Sequence, residues 1–470
     1  MLVLRAGTGP GVGAGHLGRC LALAQAWRDL RGEAVLVADR LPVGWGSRFL
    51  DEGVDVLGAD GADAVLGTAD WCALDGYGLA TTGTAWARRL GRHVLGIDDH
   101  GAAGFRGTDL TLDQNLPADG TRPSGTARGL VGPRYALLRR ELRQRLAAGH
   151  ADTSGRSRAV RLLVSLGGDP DDRVRSFADR VLADPRLSDF DVRRLEHVPD
   201  VGVEMESTDL ALAAGGSTVW ELCAFGVPSV IVVTAENQRS VTEPLGRTGG
   251  AVCVGDVGDA AVEPTIDELV ALAADPARRR GMAETVRALV DGFGAVRVAT
   301  RLRSELLDVR PAADGDARLL WQWANDETTR RWSFSTGPIP WEHHLDWFRG
   351  VLADPSRKLY VVSDRTGQAV GQIRFDGPEG ERADSGDAVL SMSVAPGLRG
   401  YGHAGALVDA GVRRYFAEST TGSVVARVRE GNHRSARAFV GADFDAGPSG
   451  GSDGRRWQSY TRSRMDSGRD

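Results

Sequence analysis

At 470 residues the chain is too long for one ordinary domain, and three are expected. Its 42% hydrophobic content can fill several cores, while a net charge of −6 and the lack of any Lys/Arg-rich block exclude nucleic acid as the main partner. Cys20, Cys72, Cys223 and Cys253 are too scattered for a disulfide framework or a zinc site, so no metal is expected. With no leader pattern and no apolar run of membrane length, a soluble cytoplasmic protein is expected.

Leu2-Val3-Leu4 reads as a first strand. The turn Gly13-Ala14-Gly15-His16-Leu17-Gly18-Arg19-Cys20 follows it. Leu17, Cys20, Leu21, Ala24 and Trp27 then recur at helical spacing, with Gly32 as the expected C-cap. A Gly-rich turn between strand and helix lies at the carboxyl edge of a sheet, where open α/β folds bind ligands. Without side-chain bulk, a charged ligand can reach the backbone N–H groups and the positive helix end. His16 opens the helix beside that space, although a tight turn with a neighbouring histidine reads the same way.

Three further apolar runs end in polar, acidic residues: Trp71–Leu74 before Asp75-Gly76-Tyr77, His93–Ile97 before Asp98-Asp99, and Asp109–Leu112 before Asp113-Gln114-Asn115. With Ala34–Ala38, they predict a parallel sheet whose polar strand ends share one edge. A helix is predicted over 134–148, and the small polar run 149–157 marks a first boundary.

A second α/β series starts at Val160–Leu166 and runs into Gly167-Gly168-Asp169. Its strand Asp209–Ala214 leads through Gly215-Gly216-Ser217-Thr218 into a short helix ending at Gly226. That turn can offer N–H groups and hydroxyls to a phosphate. Glu221, in the first helical turn, is placed either to accept from a ribose hydroxyl or to stabilise the helix dipole. Pro228–Val233 is the next strand, running into Thr234–Gln238. Two such halves make a cleft suited to a nucleotide-linked substrate.

Residues 1 to about 300 resemble the UDP-sugar hydrolase family of pseudaminic acid biosynthesis, relatives of spore-coat polysaccharide proteins. The resemblance rests on Gly13-x-Gly15-His16-x-x-Arg19, Asp75-x-Tyr77, Ile97-Asp98-Asp99, Asp113-Gln114-Asn115, Gly132-Pro133-x-Tyr135-x-x-Leu138-Arg139, Gly167-Gly168-Asp169, Gly215-Gly216-Ser217-Thr218-x-x-Glu221 and Asn237-Gln238. It implies two Rossmann-like domains in a B-type glycosyltransferase arrangement, with His16 as catalytic base. It also implies substrate contacts from Arg5, Gly15, Asp75, Tyr77, Asp98, Asn115, Gly216, Ser217, Thr218, Glu221, Asn237 and Gln238. Where that family usually has Asp two residues after the first arginine, this chain has Gly7.

Glu284–Leu307 reads as helical and is assigned to the second half. A new α/β pattern begins near Val309. Leu359–Val362 and Val370–Phe375 are expected to be neighbouring strands joined by a turn at Asp364–Gly367. The strand Leu390–Val394 is followed by the Gly-punctuated turn Arg399-Gly400-Tyr401-Gly402-His403-Ala404 and a helix. Residues 309 to about 450 resemble the Gcn5-related N-acetyltransferases through Arg399-x-x-Gly402-x-Ala404 and Asn432-x-x-Ser435. The resemblance implies a mixed α/β domain binding acetyl-CoA through Val394, Arg399, Gly400, Gly402, Ala404, Asn432 and Ser435. Many members carry Tyr where this chain has Phe439, which cannot protonate a thiolate and is expected in the core. His343 and His344, beside Trp347 and Phe348, are read as structural.

Together these resemblances imply a bifunctional enzyme divided as 1–150, 158–305 and 309–465. Its co-substrate would be acetyl-CoA and its substrate a UDP-linked amino sugar, with no nucleic-acid or membrane partner. Two alternatives stand beside it. The front half could be a glycosyltransferase, or a degenerate nucleotide-sugar-binding module that recruits the acetyltransferase.

Overall fold

The computed structural model describes residues 1–7, 15–38, 40–65, 67–80, 82–101, 103–117, 129–149, 161–167, 170–195, 200–377, 386–452 and 454–464. Gly13, Gly168, Asp169 and residues 150–157 of the expected boundary lie outside the described residues, as does the side chain of Tyr77. The chain divides into two compact units: Met1–Ala295 without Asp29–Arg31, and Val296–Asp470 with those three residues.

The first unit holds two parallel sheets. Strands β1 (Leu2–Ala6), β2 (Ala34–Val37), β3 (Asp55–Leu57), β4 (Ala69–Asp75), β5 (Gly91–Ile97), β6 (Leu110–Asp113) and β7 (Gly129–Val131) lie in the order β3-β2-β1-β4-β5-β6-β7. Apolar side chains fill both faces of its central strands, because helices cover them, and this explains the unbroken apolar runs in the sequence. Among the helices α1 (Gly15–Asp29), α2 (Trp45–Asp51), α3 (Thr82–Leu90) and α4 (Arg140–Ala148), α1 is the most buried, with ten buried residues from Leu17 to Trp27.

The cap of α1 differs from the sequence expectation. Arg31 takes the left-handed conformation (φ 64°), and Gly32 donates to the Trp27 carbonyl at 3.1 Å. Glycine is needed at 32 for a different reason: a Cβ there would lie 2.1 Å from the Trp27 indole nitrogen.

The helix expected over 134–148 starts only at Arg140. Upstream, the Leu137 N–H donates to Gln114 Oε1 at 3.1 Å, while Ala136 and Leu138 enter the core of the second sheet. A tertiary contact therefore replaces the first helical turns.

The second sheet has the order β12-β11-β10-β8-β9, built from β8 (Arg161–Ser165), β9 (Asp191–Arg194), β10 (Leu210–Ala214), β11 (Ser229–Val233) and β12 (Ala251–Asp256). One face packs Leu162, Val164, Leu212 and Val232 against α5 (Asp172–Leu182) and α9 (Asp259–Ala274). The other packs Leu163, Ala211, Ala213 and Ile231 against α6 (Val201–Ser207), α7 (Thr218–Phe225), α8 (Arg239–Arg247), α10 (Pro276–Leu289) and Leu142 of α4. The predicted helix 284–307 is broken at Val290–Phe293. Its second part, α11 (Gly294–Ser304), belongs to the second unit from Val296 onward.

That unit contains β13 (Asp308–Pro311), α12 (Ala317–Ala324), α13 (Glu327–Trp332), α14 (Trp341–Ala353), β14 (Arg357–Ser363), β15 (Ala369–Asp376), β16 (Asp387–Val394), α15 (His403–Glu418), β17 (Ser423–Arg429), α16 (His433–Gly441), β18 (Asp445–Ser452) and β19 (Arg455–Ser463). The sheet order is β13-β14-β15-β16-β17-β19-β18, and only the β16–β17 pair is parallel. Phe439 is buried against Phe444 and Tyr460, as core packing requires. His344 is buried with Nε2 3.0 Å from the Ala317 carbonyl, and His343 is exposed.

Asp409 of α15, 3% exposed, accepts from Ser304 Oγ at 2.5 Å, Arg462 at 2.7 Å and Arg413 at 3.1 Å. Burial opposes its charge, but the three neighbouring arginines outweigh burial and hold the carboxyl well below the carboxylate range. Asp409→Asn should destabilise this unit by about 3 kcal/mol in denaturant titration at neutral pH, since it strands partly buried guanidinium charge. The stabilising contribution is complete above the ordinary carboxyl pKa of about 3.9 and is lost as pH falls toward the depressed folded value. The difference between parent and variant should therefore shrink in acid.

Candidate functional site

In the first unit, β1, β4, β5 and β6 deliver their carboxyl ends to one edge, with Ala6 beside Asp75 and Asp75 beside Ile97. The ends of β1 and β4 press together. Gly7 N–H donates to the Asp75 carbonyl at 2.6 Å, and a Cβ on Gly7 would meet Gly76 Cα at 3.1 Å. The glycine that departs from the expected Asp thus sits where a side chain needs its neighbour to yield.

Asp75 is fully buried and receives two side chains from α1. His16 Nδ1 lies 2.6 Å from Asp75 Oδ1, and Arg19 grips both oxygens through Nη2 at 2.6 Å and Nε at 2.9 Å. His16 and Arg19 are three residues apart, which on a helix puts them on one face. The Arg19 Nη1 donates to both oxygens of Asp99 at 2.8 and 2.9 Å. Burial opposes the Arg19 charge, but Asp75 and Asp99 raise its pKa further. Asp99 is likewise opposed by burial and is held below the carboxylate range chiefly by Arg19.

Two contacts compete at His16 Nδ1. A carboxylate accepts, so the 2.6 Å contact to Asp75 favours a proton there, whereas Arg19 Nη2 at 3.0 Å can only donate to it. The shorter contact favours the tautomer protonated on Nδ1. Nε2 is then the basic nitrogen, and Asp75 would stabilise the imidazolium formed when it takes a proton, as in an Asp–His pair.

Asp98 is placed differently. Its carboxylate accepts from the N–H groups of Ala103 at 2.8 Å and Phe105 at 3.2 Å, so it shapes the loop after β5. Asp99, unassigned from sequence, joins Arg19 instead. Arg5 turns its guanidinium over the Trp86 ring at 4.7 Å. Asn115 donates to Asp99 at 2.9 Å and to Asp113 at 2.8 Å, and accepts from Trp220 Nε1 at 3.1 Å.

Trp220 belongs to α7, whose N-terminus faces that of α1. A Cβ on Gly15 would lie 2.9 Å from Ser217 Oγ. Two helix N-termini thus converge on one point, which favours an anion. Gly216, Ser217 and Thr218 form the turn entering α7. Gln238 holds the backbone just before it, accepting from Gly215 N–H at 3.2 Å and Thr234 N–H at 2.9 Å, while Asn237 is exposed. Glu221 pairs with Arg139 at 3.2 Å. Arg139 belonged to the quoted motif but had no assigned role.

Gly15, Arg19, Gln114, Leu138, Ser217, Trp220 and Glu221 line a cavity of about 20 Å³. That is room for one water molecule. A broader, open groove of about 900 Å³ lies around Arg247, Cys253, Arg278 and Met282 and includes none of these side chains. Among the described residues, no group of three or more His, Cys, Asp or Glu side chains is arranged to hold a metal.

In the second unit, β16 and β17 pair only from Asp387–Leu390 to Ser423–Ala426, then separate. Ala395 N–H donates to the Val370 carbonyl on the β15 side. Backbone groups alternate in direction along a strand, so the Val394 N–H points the other way, toward the gap beside β17. Gly400 (φ 83°) and Gly402 (φ 76°) then turn the chain into α15, with Ala404 in its first turn. A parted strand pair and a helix N-terminus entered through two left-handed glycines fit a pyrophosphate-bearing thioester cofactor, with Leu30 close enough to Gly402 that a Cβ there would lie 2.7 Å from its Cα. The Arg399 side chain points back to Asp326 at 2.5 Å and Thr329 at 2.7 Å, leaving its backbone for the turn. Asn432 caps α16, accepting from Ser435 N–H at 3.3 Å.

Over 115 residues the chain is 36% identical to the UDP-N-acetylglucosamine--N-acetylmuramyl-(pentapeptide) pyrophosphoryl-undecaprenol N-acetylglucosamine transferase of Sorangium cellulosum, covering 23% of this chain and 28% of that protein. Over 208 residues it is 26% identical to the spore coat polysaccharide biosynthesis protein SpsG of Bacillus subtilis, covering 38% of this chain and 59% of that one. The chain thus spans less than two thirds of either curated relative. Among solved structures, the aminoglycoside acetyltransferase AAC(6')-Ib with coenzyme A matches at 18% identity, TM-score 0.31, over 34% of this chain and 95% of that one. A spermidine N-acetyltransferase from Vibrio cholerae matches at 14% identity, TM-score 0.31, over 34% and 96%. Among the described residues, no helix is long and apolar enough to cross a membrane. Residues 307–445 match the acetyltransferase (GNAT) domain family, and this part of the chain is a GNAT acetyltransferase domain.

Proposed function

We propose that the chain is a bifunctional nucleotide-sugar enzyme with its first two sheets in a B-type glycosyltransferase arrangement. The GNAT domain would acetylate the 4-amine of a UDP-linked 4-amino-4,6-dideoxy sugar. The N-terminal unit would then hydrolyse the product, UDP-2,4-diacetamido-2,4,6-trideoxy-β-L-altropyranose, to UDP and the free sugar. The observation that carries the hydrolytic reading is the pairing of His16 with buried Asp75, beside the converging N-termini of α1 and α7.

In this reading, His16 Nε2 takes a proton from water as the water oxygen bonds to the anomeric carbon. The bond from that carbon to the UDP oxygen breaks, and the electron pair leaves with UDP. Attack from the face opposite UDP inverts the centre. UDP is a good leaving group, and the Ser217 and Thr218 N–H groups at the start of α7 would meet its charge, the Gly216 N–H being donated to the Ala214 carbonyl at 2.8 Å. No step requires a metal.

For acetyl transfer, acetyl-CoA supplies an activated thioester. The turn Gly400–Ala404 and the N-terminus of α15 would hold its pyrophosphate, and the Val394 N–H would face the developing oxyanion. The amine must lose its proton to water or a carboxylate to attack. Incubating the full chain with the UDP-4-amino sugar, with and without acetyl-CoA, tests the order of steps. Free sugar should appear only when acetyl-CoA is present.

Glu221→Ala should weaken UDP binding by about 1–3 kcal/mol in calorimetry, the cost of a lost charged hydrogen bond. Unchanged affinity in a folded variant would leave Glu221 only its pairing with Arg139.

A second reading is glycosyl transfer, favoured by the similarity over 115 residues to a sugar transferase. UDP release with no acceptor present separates the two.

A further inference from the structure

We propose that Trp220 is a positioning residue that ties the docking of α7 to the ring orientation of His16. The proposal rests on the reading of His16 as the base. Five hydrogen-bonded links join the two side chains. Trp220 Nε1 donates to Asn115 Oδ1 at 3.1 Å, and Asn115 Nδ2 donates to Asp99 Oδ1 at 2.9 Å. Arg19 Nη1 donates to Asp99 at 2.8 Å, and its opposite edge grips Asp75 at 2.6 and 2.9 Å. Asp75 Oδ1 then meets His16 Nδ1 at 2.6 Å.

The direction of every link from Trp220 to Asp75 is forced. Indole and guanidinium nitrogens only donate, and carboxylates only accept. At His16 Nδ1 the 2.6 Å contact to Asp75 outcompetes the 3.0 Å contact to Arg19 Nη2. Between Trp220 and Asp75, Asn115 is the one member that could flip. The Trp220 N–H prevents this, because a flipped amide would set N–H against N–H at Trp220 and oxygen against oxygen at Asp99. With Asn115 so oriented, Asp99 is held for Arg19, Arg19 for Asp75, and Asp75 for a His16 protonated on Nδ1. Trp220 and Asn115 are each 2% exposed and Arg19 is 6% exposed, so bulk solvent does not compete for these links.

The far end of the chain is where a nucleotide would act. Trp220 lies three residues after Ser217, on the helix whose first turn faces the proposed diphosphate site. Whatever moves α7 at the diphosphate site moves Trp220, and through the linked side chains it moves the alignment of His16.

The test is Trp220→Phe in the full chain labelled with ¹⁵N-histidine, with UDP as the probe and His16→Asn to identify the His16 signals. In the parent, UDP should change the His16 ring-nitrogen signals. In Trp220→Phe, UDP should still bind within a few-fold, but the His16 signals should not respond. Hydrolysis should show kcat lowered about 10-fold, the worth of one buried hydrogen bond, with KM little changed. An equal His16 response in parent and variant would overturn the proposal, as would a parent whose His16 ignores UDP. Should Trp220→Phe not fold, Asn115→Ser breaks the same link from the other side and is judged by the same signals. A parent that releases no UDP from UDP-sugar would defeat the hydrolytic reading, while the His16 signals would still decide the relay.

Discussion

His16→Asn should lower UDP release from the diacetamido UDP-sugar by about 10²–10⁴-fold, the usual worth of a positioned general base. Asparagine keeps the length and a hydrogen-bonding group near Asp75 but has no nitrogen that can take a proton from water. The ion pair of Arg19 with Asp75 and Asp99 does not depend on the imidazole, so the fold should hold. UDP affinity, measured by calorimetry, should stay within a few-fold, because in the proposed reading the phosphate contacts come from the turn into α7. Acetyl transfer should be unaffected. A variant that hydrolyses within a few-fold of the parent would remove His16 from the chemistry. Asp98, the neighbouring carboxylate at the same sheet edge, is a poor substitute because its oxygens are engaged by the N–H groups of Ala103 and Phe105.

The second large effect is expected from Gly402→Glu, which should abolish acetyl transfer. Gly402 is the N-cap of α15 in the left-handed conformation, which costs a side chain about 1–2 kcal/mol, and a Cβ there would lie 2.7 Å from Leu30 Cα, so Leu30 must also shift. A carboxylate at a helix N-terminus is itself favourable, so the helix should survive. That same carboxylate would occupy and repel the position of the pyrophosphate. Calorimetry should find no acetyl-CoA binding, while hydrolysis of a pre-acetylated UDP-sugar continues. Gly402→Ala carries the same backbone penalty and the same close approach to Leu30 without the charge, so the difference between the two variants isolates repulsion. Unchanged acetyl-CoA affinity in Gly402→Glu would remove this turn from the cofactor site.

Much of this architecture was legible because parallel strands buried on both faces appear as plain apolar runs. Leu2–Leu4, Trp71–Leu74 and Ser229–Val233 each fall on a strand, and Asp75, Asp98 and Asp99 mark the carboxyl edge of the first sheet. The failures have tertiary causes. Nothing local says that the Leu137 N–H will bond Gln114 instead of starting a helix. Asp98 and Asp99 are adjacent, and only the loop to Phe105 decides that the first closes a turn while the second meets Arg19. Trp220 looks like one more apolar helix residue, since its partner Asn115 is 105 residues away. Arg19 was visible in the motif, but its role depends on two acids delivered by separate strands.

The most direct measurement follows the sugar itself. Full-length protein is mixed with the diacetamido UDP-sugar and no acceptor, and freshly released product is watched by NMR. The account predicts UDP and free sugar in equal amounts, with the anomeric configuration inverted before mutarotation sets in. Retained configuration would contradict direct attack by water, and an intact UDP-sugar that turns over only when an acceptor is added would contradict hydrolysis itself.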